Sequence, residues 1–188
     1  MSSNLTQQAR HALFFAQEAA EQLGMDRVDA EHLLLGLVHH EETVVAAILQ
    51  TIGISGARIR SAVERLVTRG PGYVLAQREL THRAQRVLNT AEEEAQALGS
   101  VLIGGEHLLL ALLRIDEGVN GRVLSNLGIT LERVRAETQH LQEHPMPEER
   151  SVHGLLHQLG KQILELHPAL VDMPAAELKE MLFGSAKA

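Results

Sequence analysis

Two glutamates occupy equivalent places in this sequence and are the first candidates for binding chemistry. Glu31 and Glu106 are each followed by a histidine and three leucines. A carboxylate can hold a guanidinium group through two parallel hydrogen bonds. It can equally stabilise the first turn of a helix, where the macrodipole is positive. Both interpretations stay open at the level of the sequence.

His32 and His107 follow the two glutamates directly. Their equivalence favours a structural role, such as a hydrogen bond between helices, because buried polar groups are normally hydrogen-bonded. Two further pairs among the 11 histidines are spaced four apart: His140 with His144, and His153 with His157. A pair binds zinc in a protein only with further ligands, and none is evident. We expect no metal and no cofactor, and a His-based metal-dependent enzyme is the alternative of another class.

Motifs for catalysis are missing. A nucleotide site needs Gly-x-x-x-x-Gly-Lys-Ser/Thr. The nearest string, at residues 154–162, has one residue too many between its glycines and lacks the hydroxyl that would hold magnesium. Ser55 and Ser125 lack the Gly-x-Ser-x-Gly frame of a nucleophile elbow. The sequence therefore predicts a protein that binds and is not an enzyme.

Composition argues against several classes of partner. The 188 residues carry 17 Lys and Arg against 24 Asp and Glu, a formal net charge of −7, whereas a nucleic-acid-binding protein shows a basic face. No cysteine is present, so a reducing compartment is the natural setting. No segment reads as a secretory signal or a membrane-spanning helix. We expect a cytoplasmic protein without nucleic-acid or membrane partners.

The strongest signal in the sequence is an internal repeat. Residues 5–67 align with residues 80–142 at a constant offset of 75 without a gap, and 23 of the 63 aligned pairs are identical. Such a register indicates duplication of one unit. The glutamates and histidines described above are therefore equivalent members of two copies.

Each copy is expected to form four helices. Thr6 and Thr81 are N-cap candidates for the first helix, which ends before Gly24 or Gly99. The other helices are expected at matching positions: the second from about 31 and 106, the third over about 44–51 and 119–126, and the fourth after Ser55 and Thr130. The pattern predicts an all-α fold with two four-helix units in a pseudo-two-fold arrangement.

Domain boundaries follow from the repeat. The first domain, 1–142, is expected to comprise repeat 1 at 5–67, a linker at 68–79 and repeat 2 at 80–142. The linker holds Gly70-Pro71-Gly72, which favours a turn. Residues 143–188 match neither copy and predict a helical C-terminal extension. Its helix has an apolar face that either packs on the repeats or docks on a partner or second copy, giving an oligomer.

The duplicated unit resembles the amino-terminal domain of the Clp (Hsp100) ATPases, especially the ClpC type. The shared motifs are Thr-x-x-Ala at the start of the first helix, Leu-Gly at its end, and Glu-His-Leu-Leu-Leu-x-Leu in the second helix. A fourth motif, Leu-x-x-Leu/Ile-Gly-Ile, stands at Leu49–Ile54 and Leu124–Ile129. The resemblance spans residues 5–142, without any ATPase module.

The resemblance implies a docking role and a ligand. In that family the domain receives substrates or adaptors for an ATPase ring, and the matching glutamates help to hold phosphoarginine, a degradation mark on client proteins. Glu31 and Glu106 would then grip the guanidinium, while a helix N-terminus attracts the phosphate. Thr6 and Thr81 would supply hydroxyl groups to the same ligand.

We therefore expect a stand-alone Clp N-domain protein that binds substrates or adaptors of a Clp protease system. It would act as an adaptor or modulator without ATPase activity, with Clp ATPase subunits, clients or adaptor proteins as partners. The alternative is an accessory subunit that docks on the Clp peptidase core. This sequence departs from the family in having Ala30 and Gly105 where a threonine usually precedes the glutamate.

Overall fold

The structure, a computed structural model, describes residues 4–72 and 78–143 of the chain. These residues form helices α1 Gln7–Gln22, α2 Ala30–Leu37, α3 Val44–Ile52, α4 Gly56–Leu66, α5 His82–Ala97, α6 Gly105–Ile115, α7 Gly118–Asn126 and α8 Leu131–Glu143. Two short strands are also present, β1 Arg27–Val28 and β2 Glu79–Leu80. The prediction of an all-α fold with four helices in each copy is confirmed.

The predicted caps begin and end the helices. The Thr6 and Thr81 hydroxyls each accept a hydrogen bond of 3.1 Å from the backbone N–H three residues on. Each bond satisfies one of the donors that a helix start leaves without a partner. Gly24 and Gly99 follow the first helix of each copy with φ of +71° and +70°, the left-handed conformation in which a helix commonly ends.

The two copies are joined by reciprocal strand pairs that the sequence analysis did not predict. Val28 pairs in parallel with Leu80, and Leu5 forms a parallel bridge with Ile103. At the offset of 75, Leu5 corresponds to Leu80 and Val28 corresponds to Ile103. Each copy therefore pairs its first extended segment with the second segment of the other copy, which confirms the pseudo-two-fold arrangement.

The core is aliphatic and is centred on α2 and α6. Every residue of α2 is buried, and helices of the two copies pack on each other, α4 against α7 and α3 against α8. The backbones of α1 and α2 approach closely at Gly36, where an added Cβ would lie 2.0 Å from the Ala12 carbonyl oxygen. On α4, Ile59 and Val63 are buried, whereas Leu66 is exposed.

The Gly-Pro-Gly turn of the linker packs back on the end of α1. The Gly70 and Gly72 N–H groups donate to the Leu23 and Gly24 carbonyl oxygens. The remaining linker residues 73–77 and the C-terminal extension lie outside the described residues, so the domain boundary and the predicted tail helices stay predictions. Over 4–72 and 78–143, no helix has both the length and the apolar character that crossing a bilayer requires.

Candidate functional site

Two equivalent sites lie at the N-termini of α2 and α6, and each is built from both copies. The first-copy site consists of Asp29 and Glu31 from repeat 1 with Thr81 and Arg83 from repeat 2. The second-copy site consists of their counterparts at the offset of 75: Gly104, Glu106, Thr6 and Gln8. The strand pairs bring these residues together, since the Thr81 N–H donates to the Val28 carbonyl and the Thr6 N–H to the Ile103 carbonyl, each at 2.9 Å.

In the first-copy site a guanidinium group is held between two carboxylates. Arg83 donates from Nε to Asp29 Oδ1 at 2.8 Å and from Nη2 to Oδ2 at 2.5 Å. Its Nη2 also lies 3.1 Å from Glu31 Oε2. The Thr81 hydroxyl donates to Asp29 Oδ1 at 2.8 Å. The carboxylate–guanidinium pair that the sequence predicted for a ligand is thus formed here with a guanidinium of the chain itself, that of Arg83.

The pKa values of the two acids in the first-copy site shift in opposite directions. Burial acts to raise the pKa of Asp29, but hydrogen bonds from Arg83, the Ala30 N–H and Thr81 outweigh it and hold the pKa below its ordinary value. Burial, with the neighbouring Asp29 charge, raises the pKa of Glu31. Asp29 is therefore the main partner of Arg83, and Glu31 is a second, more deeply buried acceptor.

The second-copy site has the same frame with a different set of charges. Gly104 replaces Asp29, and Gln8 replaces Arg83. The Glu106 carboxylate lies over Gly104, where an added Cβ would be 2.1 Å from Oε1. It therefore occupies the space that the Asp29 side chain takes in the first copy. Within the described part of the chain no arginine or lysine pairs with Glu106.

A cavity of about 410 Å³ opens beside the second-copy site. Gln8 and Gly105 line it at the site, and His11 and Glu42 line it farther away. The Thr6 hydroxyl accepts from the Ala9 N–H, and, unlike the Thr81 hydroxyl, it donates to no acceptor among residues 4–72 and 78–143. This site thus combines a carboxylate, a hydroxyl donor and a helix N-terminus. It borders the cavity through Gln8, whereas Glu106 and Thr6 are not among the lining residues.

His32 and His107 have the structural role that the sequence favours, though each acts within its own helix. Nδ1 of His32 accepts from the Asp29 N–H and Nδ1 of His107 accepts from the Gly104 N–H, both at 2.8 Å. Each ring thereby closes the start of its helix in the manner of a capping box. Burial lowers the pKa of His32 to about 4 and lowers that of His107, which favours the neutral form of both rings.

The structure describes all four residues that were predicted for the ligand site but pairs them across the copies. Glu31 belongs with Thr81, and Glu106 belongs with Thr6. Asp29 and Arg83 were not predicted, because the identical pairs of the repeat do not include positions where the two copies differ. The signal was present in the alignment, which sets Asp29 against Gly104 and Arg83 against Gln8.

The described residues hold no group of three or more His, Asp or Glu side chains placed to bind a metal ion. Of the histidine pairs noted above, only His140 falls within these residues. His144, His153 and His157 lie outside them.

Comparisons with known proteins agree with the fold and the repeat. The Clp repeat (R) N-terminal domain family matches residues 4–127 and 79–159. Among curated relatives, the chloroplast chaperone protein ClpC of Pisum sativum is 42% identical over 137 residues, covering 73% of this chain and 15% of that protein. The negative regulator of genetic competence ClpC/MecB of Bacillus subtilis is 39% identical over 142 residues, covering 75% and 17%. The chain thus spans about a sixth of the length of these relatives.

Solved structures show the same fold. The N-terminal domain of ClpD from Arabidopsis thaliana superposes with a TM-score of 0.58 at 26% identity, covering 73% of this chain and 96% of that domain. The N-domain of ClpV from Vibrio cholerae gives 0.64 at 18%, covering 74% and 84%. A complex of a ClpV N-domain with a VipB peptide gives 0.59 at 19%, covering 74% and 85%. The chain therefore belongs to the Clp repeat N-terminal domain family.

Proposed function

We propose that this chain is a protein-binding module that recognises substrates or adaptors of a Clp protease system, as an adaptor or modulator without ATP hydrolysis of its own. Its fold is that of the N-terminal domains of Clp ATPases, and a related N-domain has been solved with a bound peptide. We further propose that its ligand carries a guanidinium group of the phosphoarginine type, and that the second-copy site receives it.

The observation that carries this proposal is Arg83 in the first-copy site. Its guanidinium lies within hydrogen-bonding distance of both Asp29 and Glu31. The frame at the start of these helices therefore accommodates a guanidinium. The equivalent position in the second copy is Gln8, so within residues 4–72 and 78–143 no cation takes that place. A guanidinium from another protein would take the place that Arg83 takes in the first copy.

The neighbourhood of Glu106 suits the phosphoryl group of the same ligand. The N-terminus of α6 is positive and its leading N–H groups point outward, which favours an anion. The Thr6 hydroxyl is a further donor near this helix start. The ligand would thus meet a carboxylate on its guanidinium side and donors on its phosphate side. The cavity of about 410 Å³ borders this position at Gln8, the residue that corresponds to Arg83.

Calorimetric titration with free phosphoarginine tests the proposal. The parent protein should bind about one equivalent, because Arg83 already occupies the first-copy site. Glu106→Gln keeps the shape of the side chain but removes its charge, and it should weaken binding at least about tenfold, as expected for a charge-assisted hydrogen bond. Glu31→Gln is the matched control in the other copy and should leave the affinity unchanged.

A further variant examines why only one site is available. Arg83→Gln gives the first copy the residue that the second copy has at this position, so the stoichiometry should rise from about one to about two. Free arginine, which lacks the phosphate, should bind more weakly than phosphoarginine. Absence of binding by the parent, or binding lost in Glu31→Gln and kept in Glu106→Gln, would refute the assignment.

A further inference from the structure

A buried carboxylate in the second copy shows what an equivalent cavity in the first copy can bind. Glu94 on α5 is only 2% exposed. Arg135 donates from Nη2 to both of its carboxylate oxygens, at 2.7 and 3.0 Å, and Arg114 donates from Nη1 at 2.9 Å. Burial acts to raise the pKa of Glu94, but these bonds outweigh it and lower the pKa. The carboxylate is therefore charged and held on two sides.

The first copy keeps half of this arrangement and lacks its carboxylate. At the offset of 75, Arg60 corresponds to Arg135, His39 takes the place of Arg114, and Ala19 takes the place of Glu94. A cavity of about 60 Å³ lies at this point, lined by Ala19, His39 and Arg60 among others. This volume is about that of a carboxylate with its adjoining carbon. The side chain that fills the position in the second copy is missing in the first.

The walls of this cavity are suited to an acidic side chain. Phe15, Leu23 and Leu35 line it with apolar surface, and Arg69 adds a second cation beside Arg60. In the described ranges neither arginine forms an ion pair or a side-chain hydrogen bond. A carboxylate entering this cavity would meet guanidinium groups that form no hydrogen bond with a described residue.

The Phe15 ring fixes the histidine wall of the cavity. Its ring stacks on His39 with centroids 3.7 Å apart and an interplanar angle of 10°, and His40 meets the Phe15 ring edge-on. The second copy has threonine, arginine and isoleucine at these positions. The aromatic group is thus particular to the first copy, where no carboxylate from the described residues takes the place of Glu94.

We propose that this cavity of the first copy binds the side-chain carboxylate of a glutamate presented by a partner protein, held by Arg60 and Arg69 as Glu94 is held in the second copy. The proposal goes beyond the guanidinium ligand of the second-copy site and shares no residue with it. A partner would thus contact this chain at two sites of opposite charge, the acidic second-copy site and the basic cavity of the first copy.

The two acids that line the cavity do not block this assignment. Glu18 and Glu64 are wall residues, and neither pairs with an arginine in the part of the chain that the structure describes. Glu18 corresponds to Glu93, which lies 3.2 Å from Arg114 in the second copy. The bound Glu94 carboxylate coexists there with this neighbouring acid, so the first copy can hold a carboxylate beside Glu18 in the same way.

The test compares two hexapeptides, each acetylated at the N-terminus and amidated at the C-terminus. One has a single glutamate among apolar residues, and the other has glutamine in its place. Each peptide is titrated into the full chain, and binding is followed by ¹H–¹⁵N NMR. The glutamate peptide should bind at least about tenfold more tightly than the glutamine peptide. It should shift the backbone signal of Ala19 and the side-chain Nε signal of Arg60. A glutamine peptide with a free C-terminal acid shows whether a chain terminus serves instead.

Two variants locate the site. Ala19→Glu copies the second repeat by placing a carboxylate in the cavity, so it should abolish peptide binding and raise the melting temperature. Arg60→Gln should also abolish binding while leaving the melting temperature nearly unchanged, because Arg60 pairs with no described residue. Arg65→Gln, an exposed arginine on the same helix outside the cavity, is the control and should bind as the parent does.

Several results would overturn the proposal. These are equal binding of the two amidated peptides, preference for the free terminal acid, or unchanged glutamate binding in Arg60→Gln. If Ala19→Glu does not fold, Arg60→Gln still decides the question, since the Arg60 side chain forms no ion pair or hydrogen bond with a described residue. Loss of phosphoarginine binding in Glu106→Gln would not affect this outcome, so failure of one proposal is distinguishable from failure of the other.

Discussion

Lowering the pH from about 7.5 to about 5 should destabilise the fold through His32. In the folded state the pKa of this ring is lowered from 6.5 to about 4, whereas the unfolded chain has the ordinary value. Between these values the unfolded state binds the proton and the folded state does not, so stability falls as the pH falls. At 1.36 kcal/mol per pKa unit, the full loss is about 3 kcal/mol, of which about 2 kcal/mol is reached near pH 5.

The contacts of the ring explain the sign. Nδ1 of His32 accepts from the Asp29 N–H at 2.8 Å, and a proton on Nδ1 would put two donors face to face. The ring is fully buried and its Nε2 has no partner in the described part of the chain, so the charge would lie in an apolar core. His107 accepts the equivalent hydrogen bond from the Gly104 N–H and also lies 3.4 Å from the Glu106 carboxylate. Burial still lowers its pKa, which adds a loss in the same direction.

Urea unfolding followed by far-UV circular dichroism at several pH values between about 5 and 7.5 measures this effect. His32→Gln is the informative variant, because glutamine is a usual capping-box residue at this position and does not titrate. Its free energy of unfolding should be lower at neutral pH and should depend less on pH, by about 2 kcal/mol over the range. All other histidines are common to the two proteins, so their contributions to the pH dependence cancel when the two free energies of unfolding are subtracted. Parallel pH profiles for the parent and His32→Gln would refute the reasoning.

Three further predictions concern stability and use thermal and urea unfolding. Arg83→Gln should lower the free energy of unfolding by about 2 kcal/mol, because Asp29 and the buried Glu31 lose the guanidinium that pairs with them. An unchanged urea midpoint would contradict this. Gly36→Ala should cost about 3 kcal/mol by forcing α1 and α2 apart at the Ala12 carbonyl, and a cost below about 1 kcal/mol would show that the helices separate freely. Glu94→Ala should lower the free energy of unfolding by about 3 kcal/mol. Acetate should reverse part of the decrease in melting temperature, whereas chloride at the same concentration should not.

The sequence predicts the helices and their symmetry because these depend on local and repeated signals. Thr6 and Thr81 cap helices through a contact three residues away, and Gly24 and Gly99 supply the left-handed residue that follows a helix. Such features recur at a fixed offset, so each copy supports the interpretation of the other.

What the sequence did not predict depends on contacts between distant residues. Strands β1 and β2 are two residues long, and their pairing connects segments about 50 residues apart, which no local pattern indicates. The partner of Glu31 could not be chosen for the same reason, since Arg83 is 52 residues away in the chain. The histidines were assigned a structural role correctly, but their hydrogen bonds lie within one helix turn and not between helices.

The reciprocal strand pairs bear on the ancestry and folding of the molecule. Because Leu5 pairs in the second copy and Leu80 in the first, a single copy would leave its own segments without partners. Two identical single-copy chains could satisfy all of these bonds only as a two-fold symmetric dimer with exchanged strands. Fusion of two such chains end to end would give the arrangement that this chain has. Chains cut within residues 73–77 should therefore reassociate as a one-to-one complex, and neither half should fold by itself.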